Sequence, residues 1–198
     1  MYSKFISILL ILASGFLSGC DTQEPVKFES KDVSKVNYAQ GFKLSDFNGV
    51  ERSLEDFKGK VVVIFFGYTQ CPDICPTSLG ELVRVKQLLG PDADKLQGIF
   101  VTLDPQRDEP QMLKAYLGSF DSSFVALVPS KEQLQSVTKE YKIIYKKIPG
   151  QTPTSYTMDH SAGSYVYDTN AQLRLFSRYG SGAEVLAHDI KALLAPAK

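Results

Sequence analysis

The chain has no net charge. Across 198 residues, 22 Lys and Arg offset 22 Asp and Glu, and neither sign is clustered, so the electrostatic footprint of a nucleic-acid binder is missing. Internal repeats and low-complexity segments are also absent, which excludes a solenoid. Cysteine is scarce at three residues. The two that lie close together, Cys71 and Cys75, would close so short a loop that a bond between them removes little unfolded-state entropy. A disulfide-stapled scaffold is therefore a poor reading, and the pair reads as reactive chemistry. There are only two histidines. Apart from its first residues the chain is ordinary, with 43% hydrophobic and 22% charged residues, the composition of one soluble globular domain.

The amino terminus departs from that average. Lys4 precedes an apolar run from Phe5 to Ala13, too short for a comfortable membrane span but suited to a signal-peptide core. Its end, Leu17-Ser18-Gly19-Cys20, resembles a bacterial lipobox, in which loss of residues 1–19 leaves Cys20 as the lipid-bearing first residue. An ordinary signal or an uncleaved anchor would place the domain on the same, extracytoplasmic side. In a Gram-negative cell, Asp21 after the cysteine resembles the signal that keeps lipoproteins in the inner membrane. Residues 20–38 are polar and without period, and so are expected to be a flexible tether to a domain over 39–198. With Cys20 lipidated, only Cys71 and Cys75 remain, and in an oxidising compartment they will tend to pair unless a metal or a reductase intervenes.

The rest of the chain is organised around Gly67-Tyr68-Thr69-Gln70-Cys71-Pro72-Asp73-Ile74-Cys75-Pro76. It follows Val61 to Phe66, an unbroken β-branched and aromatic run that predicts a central strand buried on both faces. Pro76 suits the first position of a helix, which puts Cys75 at or beside the N-cap and Cys71 in the loop ahead. At the positive end of a helix dipole both thiols would be biased towards thiolate, the form that attacks disulfides and binds metals.

Around this motif the pattern alternates. A hairpin is expected at Phe42 to Ser53 about the Asn48-Gly49 turn, with one helical turn at Leu54 to Phe57. A helix should follow the cysteines and stop at Gly90-Pro91. Then come a strand at Gly98 to Leu103, a helix from Gln111 to Phe120 with Met112, Leu113, Tyr116 and Leu117 inward, and a strand at Phe124 to Val128. A helix capped by Ser130 and Gln133 should run to about Tyr141. Pro149 to Asp159 has no period and is expected to be a long functional loop. A second hairpin spans Ser164 to Phe176, and a last helix runs from about Ala183 to Leu194. This order predicts an α/β protein that looks like the thioredoxin fold with an extra N-terminal β-hairpin and a late insertion loop. In such sheets ligands gather at the carboxyl ends of the strands.

His188 falls among alternating polar and apolar positions and is given no role. His160 lies directly before the second hairpin, where thioredoxin-like oxidoreductases carry a cis-proline that faces the thiols. Pro153 lies too far ahead of the Asn170 turn to fill that position. An imidazole opposite two thiolates makes a soft three-ligand set suited to Cu(I), tolerant of Cu(II) and able to take Zn(II). Asp159 is a weak candidate for orienting the ring.

Three motifs in order, Cys71-Pro72-x-x-Cys75-Pro76, Asp104-Pro105-x-Arg107-Asp108 and Asp159-His160-Ser161, resemble those of the Sco/SenC family over nearly all the chain past Tyr38. The resemblance implies a membrane-tethered copper chaperone that assists assembly of the copper-A centre of cytochrome c oxidase. Cys71, Cys75 and His160 match the copper ligands. The implied partner is cytochrome c oxidase subunit II or another copper chaperone, reached from a lipid anchor on the periplasmic side of a bacterial cell membrane. The Asp104 and Asp108 loop matches without an assigned chemistry.

Two other functions compete. A thiol-disulfide oxidoreductase could use Cys71 and Cys75 to keep a partner's copper-site cysteines reduced, although a three-residue spacing and the missing cis-proline weaken it. A peroxiredoxin-like peroxidase would place Thr three residues before its reactive cysteine, whereas Thr69 lies two before Cys71.

Overall fold

The computed structural model describes residues 27–152 and 155–195. The leader, Cys20 and Pro153 lie outside the described residues.

The apolar run forms β4 (Val61–Gly67), buried along its whole length. It pairs in parallel with β5 (Leu96–Thr102) on one side and antiparallel with β9 (Ser164–Tyr167) on the other. The sheet continues through β6 (Val125–Leu127) beyond β5. Beyond β9 come β10 (Leu173–Ser177) and then β1 (Lys31–Asp32), giving the order β1-β10-β9-β4-β5-β6. Alternate residues of β4 serve opposite faces, as strand pleating requires. Val61, Val63 and Phe65 join a core with α1 (Ile74–Leu89), α2 (Pro110–Gly118) and α4 (Ala183–Leu194). Val62, Ile64 and Phe66 join a second core with α3 (Lys131–Glu140) and the N-terminal extension. The result is a three-layer α/β domain, as expected from the sequence.

Local chemistry sets the element ends. Ser130 Oγ accepts the Gln133 amide at 3.2 Å while Gln133 Oε1 accepts the Ser130 amide at 2.9 Å, closing the predicted capping box of α3. The early hairpin of β2 (Lys43–Ser45) and β3 (Glu51–Ser53) turns about Asp46, whose carboxylate accepts the Asn48 and Val50 amides at 2.8 and 3.0 Å. It docks on the free edge of β6 through the Val128 and Phe47 amides.

The structure differs from expectation in four places. The segment read as the end of a tether is folded from about residue 28. The Asp189 carboxylate of α4 accepts the Glu29 and Ser30 amides at 2.8 Å each, β1 pairs with β10, Val33 is buried, and the Ala39 carbonyl accepts the buried Tyr167 hydroxyl. The expected loop at Pro149 to Asp159 is a β-hairpin, β7 (Tyr145–Pro149) with β8 (Tyr156–His160), whose strands pair only with each other. Asp73 is the N-cap of α1, so Cys75 lies inside the first turn rather than at the cap. On α2, Leu113 and Leu117 face inward but Met112 is exposed.

Candidate metal centre

Cys71, Cys75 and His160 come together at the carboxyl end of β4, with their ligand atoms all within 4.8 Å of one another. Each is delivered by a different element. Cys75 projects from the first turn of α1 and is completely buried. Cys71 lies in the preceding loop, half-buried, and its sulfur accepts the Cys75 amide at 3.4 Å. That amide is one of the unpaired donors at the helix start, so the sulfur serves as a local cap where Asp73 makes no side-chain cap bond. His160 ends β8, with Nε2 4.0 Å from the Cys75 sulfur.

The ring is oriented by its own neighbour. His160 Nδ1 lies 2.9 Å from the Ser161 carbonyl oxygen, which can only accept, so Nδ1 carries a proton and Nε2 is the nitrogen left to face the sulfurs. Tyr68 packs edge-on against the imidazole, with centroids 6.1 Å apart. Asp159 is exposed and does not hold the ring.

The expected thiolate bias fails for Cys75. Burial pushes its thiol well above the ordinary range, and the helix start and the Tyr68 amide do not offset that. A bare Cys75 is therefore a thiol at neutral pH, and a bound cation must displace its proton.

The Asp104 to Asp108 loop acquires a physical account. Asp108 is fully buried and accepts the Thr69 amide, the Thr69 hydroxyl and the Thr102 hydroxyl at 3.1, 2.6 and 2.6 Å, tying the cysteine loop to the end of β5. Burial raises its carboxyl above the ordinary value, against the pull of those donors. Asp104 accepts the Tyr156 hydroxyl at 2.8 Å and pairs with Arg107. Burial first, then the Asp104 hydrogen bond and charge, push the Tyr156 hydroxyl up to about 12, so it remains a donor. Tyr68 and Thr69 lie within the cysteine stretch but carried no role there, while Thr102 and Tyr156 belong to no motif and reach the site only in three dimensions.

Beside Cys71 and His160 opens a cavity of about 320 Å³ lined also by Pro72, Asp73, Ile74, Ile148, Met158 and Asp159. His188 is remote from it, on α4 beside Asp189 and Glu29. No helix among the described residues is long and apolar enough to cross a membrane.

Two soft thiol donors and one imidazole fit a copper-type ion better than a hard cation. Comparison with known proteins agrees. The SCO2-like protein of Rickettsia felis is 35% identical over 153 residues, 76% of this chain and 75% of its own length. The structure of Bradyrhizobium japonicum ScoI with copper bound is 39% identical, with a TM-score of 0.70 over 77% of this chain and 97% of that one. Yeast Sco1 with copper bound is 30% identical, with a TM-score of 0.70 over 79% and 90% of the respective chains. The shared architecture is the thioredoxin-like fold expected from the sequence. A family model described as SCO1/SenC matches residues 30–195, and on that span, three motifs and one fold, the chain belongs to the SCO1/SenC family.

Proposed function

We propose that this protein is a membrane-tethered copper chaperone that holds one copper ion through Cys71, Cys75 and His160 and assists assembly of the copper-A centre of cytochrome c oxidase. The observation that carries the reading is the convergence of two sulfurs and one ring nitrogen within 4.8 Å, with Nε2 the nitrogen left to face the sulfurs. Copper is cargo here, and the receiving partner is cytochrome c oxidase subunit II or another copper chaperone. Cys71 and Cys75 give up their protons on loading, and His160 supplies the third donor. Processing of residues 1–19 and a lipid on Cys20 would keep the domain on the extracytoplasmic face of a bacterial membrane.

The test is titration of the reduced soluble domain with Cu(I) and Cu(II). One equivalent should bind, Cu(II) giving thiolate-to-copper charge-transfer bands that are lost in Cys71→Ser and Cys75→Ser and altered in His160→Ala. Equal Cu(II) affinity and an unchanged spectrum in His160→Ala would overturn the ligand set.

A second reading, reduction of a partner's copper-site cysteines, is favoured by one observation: Cys71 and Cys75 are free and adjacent, with the more accessible Cys71 placed to attack. It predicts reductase activity on an oxidised partner peptide that survives His160→Ala, whereas the chaperone reading predicts copper transfer that does not.

A further inference from the structure

β8 presents Tyr156, Met158 and His160 on one face, towards the body of the domain, while Thr157 and Asp159 are exposed. At about 3.3 Å per residue, Tyr156 and His160 stand roughly 13 Å apart along a single strand. Because β7 and β8 pair only with each other, no ladder bond from the main sheet fixes that strand. Its position rests on side-chain ties.

Arg107 stands at the centre of one group of them, beside a bond from Lys147 Nζ to Gln106 Oε1 at 2.9 Å and the burial of Met158 in the core. One Nη1 donates to the Tyr156 carbonyl at 2.9 Å and to Gln70 Oε1, beside Cys71, at 3.1 Å. Nε donates to the Asp104 carboxylate, which also receives the Tyr156 hydroxyl. The guanidinium lies 3.5 Å over the Tyr156 ring and 5.8 Å over that of Tyr68, the ring that packs on His160. Thus one planar cation touches the cysteine loop, the β5 loop and the root of the strand that ends in the imidazole. Its Nη2 is buried with no hydrogen-bond partner among the described residues.

We infer that Arg107 is a positioning residue for the third metal ligand: it registers β8 against the cysteine loop and so sets where His160 stands relative to the two sulfurs. The inference rests on the proposed ligand set but concerns a different residue. A lysine cannot replace Arg107, because an ammonium lacks the planar fork that stacks on one ring while donating in three directions.

The experiment pairs Arg107→Gln and Tyr156→Leu with His160→Ala. Tyr156→Leu leaves the Asp104 ion pair and the Arg107 bond to the residue-156 carbonyl in place and removes the ring under the guanidinium together with the hydroxyl's bond to Asp104, so it decides the question if Arg107→Gln fails to fold. Two readouts are used. In the metal-free protein, the proton NMR cross-peaks between the His160 and Tyr68 rings should weaken in either variant. In Cu(II) titrations each variant should lose about 10–100-fold in affinity when His160 is present, and almost nothing further when His160 is already alanine. Such non-additivity marks residues that act through one another. Arg107→Lys should behave as Arg107→Gln does. Equal losses in both backgrounds, unchanged ring cross-peaks, or full rescue by lysine would overturn the inference. A wild type that binds no copper would sink the chaperone reading, while the NMR measurement would still decide this one.

Discussion

The Cys75 sulfur occupies the space where a side chain on Gly67 would begin: a β-carbon at Gly67 would stand 2.5 Å from it and 2.9 Å from the Phe100 ring. Gly67 ends β4 and the thiol rests against that end. Gly67→Ala should therefore displace Cys75 or the start of α1, costing about 1–3 kcal/mol as overpacking does. Thermal unfolding should show a lower midpoint, and copper affinity should fall even though no ligand is altered. Unchanged melting and affinity would mean that the thiol has room that the structure denies it.

Asp108→Asn replaces an acceptor of three hydrogen bonds by a group with one acceptor oxygen and two donors of its own. Loss of at least one bond at a fully buried site should destabilise by about 1–3 kcal/mol. The Thr69 amide should exchange with solvent faster, read by hydrogen exchange, because the cysteine loop loses its tie to β5.

Copper loading should become tighter as pH rises. Burial holds the Cys75 proton on through neutral pH, so at least that proton must leave as the metal enters, and apparent Cu(I) affinity should rise at least about tenfold per pH unit near neutrality. Competition titrations with a Cu(I) chelator at pH 6, 7 and 8 would measure the slope. A flat profile would show that the thiol is already ionised.

Asp189 provides a second pH test, at the anchor of the N-terminal segment. Burial alone would raise its carboxyl, but the Glu29 and Ser30 amides and His188 outweigh it and the value is held below the ordinary 3.8. A depressed carboxylate contributes stability that is complete above its unfolded value and is lost as pH falls through the folded one. Asp189→Asn should thus melt lower than wild type at pH 7, and the gap should close below about pH 3.8. Proteolysis of residues 28–38 should also quicken, because their amide anchors lie on Asp189.

The parts of the fold legible in the sequence are those whose signal is local. Val61 to Phe66 announces a buried strand by composition, Ser130 and Gln133 announce a cap, and the last helix forms over Ala183–Leu194 as expected. His160 could be placed opposite the cysteines because the hairpin turn at Asn170 fixes the register. What escaped depends on distant partners. Residues 28–38 look like a polar tether because their anchors are backbone amides received by Asp189 and a ladder to β10. β7 shows no alternation because Lys146, Lys147, Ile148 and Pro149 are all exposed, which leaves the short run of Tyr156, Met158 and His160 on one face of β8 as the hairpin's sole period of two. Cys75 was misjudged because a dipole argument considers the helix start but not the depth of the thiol.

The separateness of β7 and β8 gives the site a direction of release. Cys75 is buried in the joint between the central strand and its helix, and Cys71 lies in the loop that enters that joint. The imidazole rides on a hairpin that no ladder bond of the main sheet holds, its strand kept in place by the Arg107 and Asp104 ties and by the buried Met158. A guest ion handed to another protein would therefore shed its nitrogen donor first and its sulfur donors last, vacating one side of its coordination sphere for an incoming ligand while still gripped from the other.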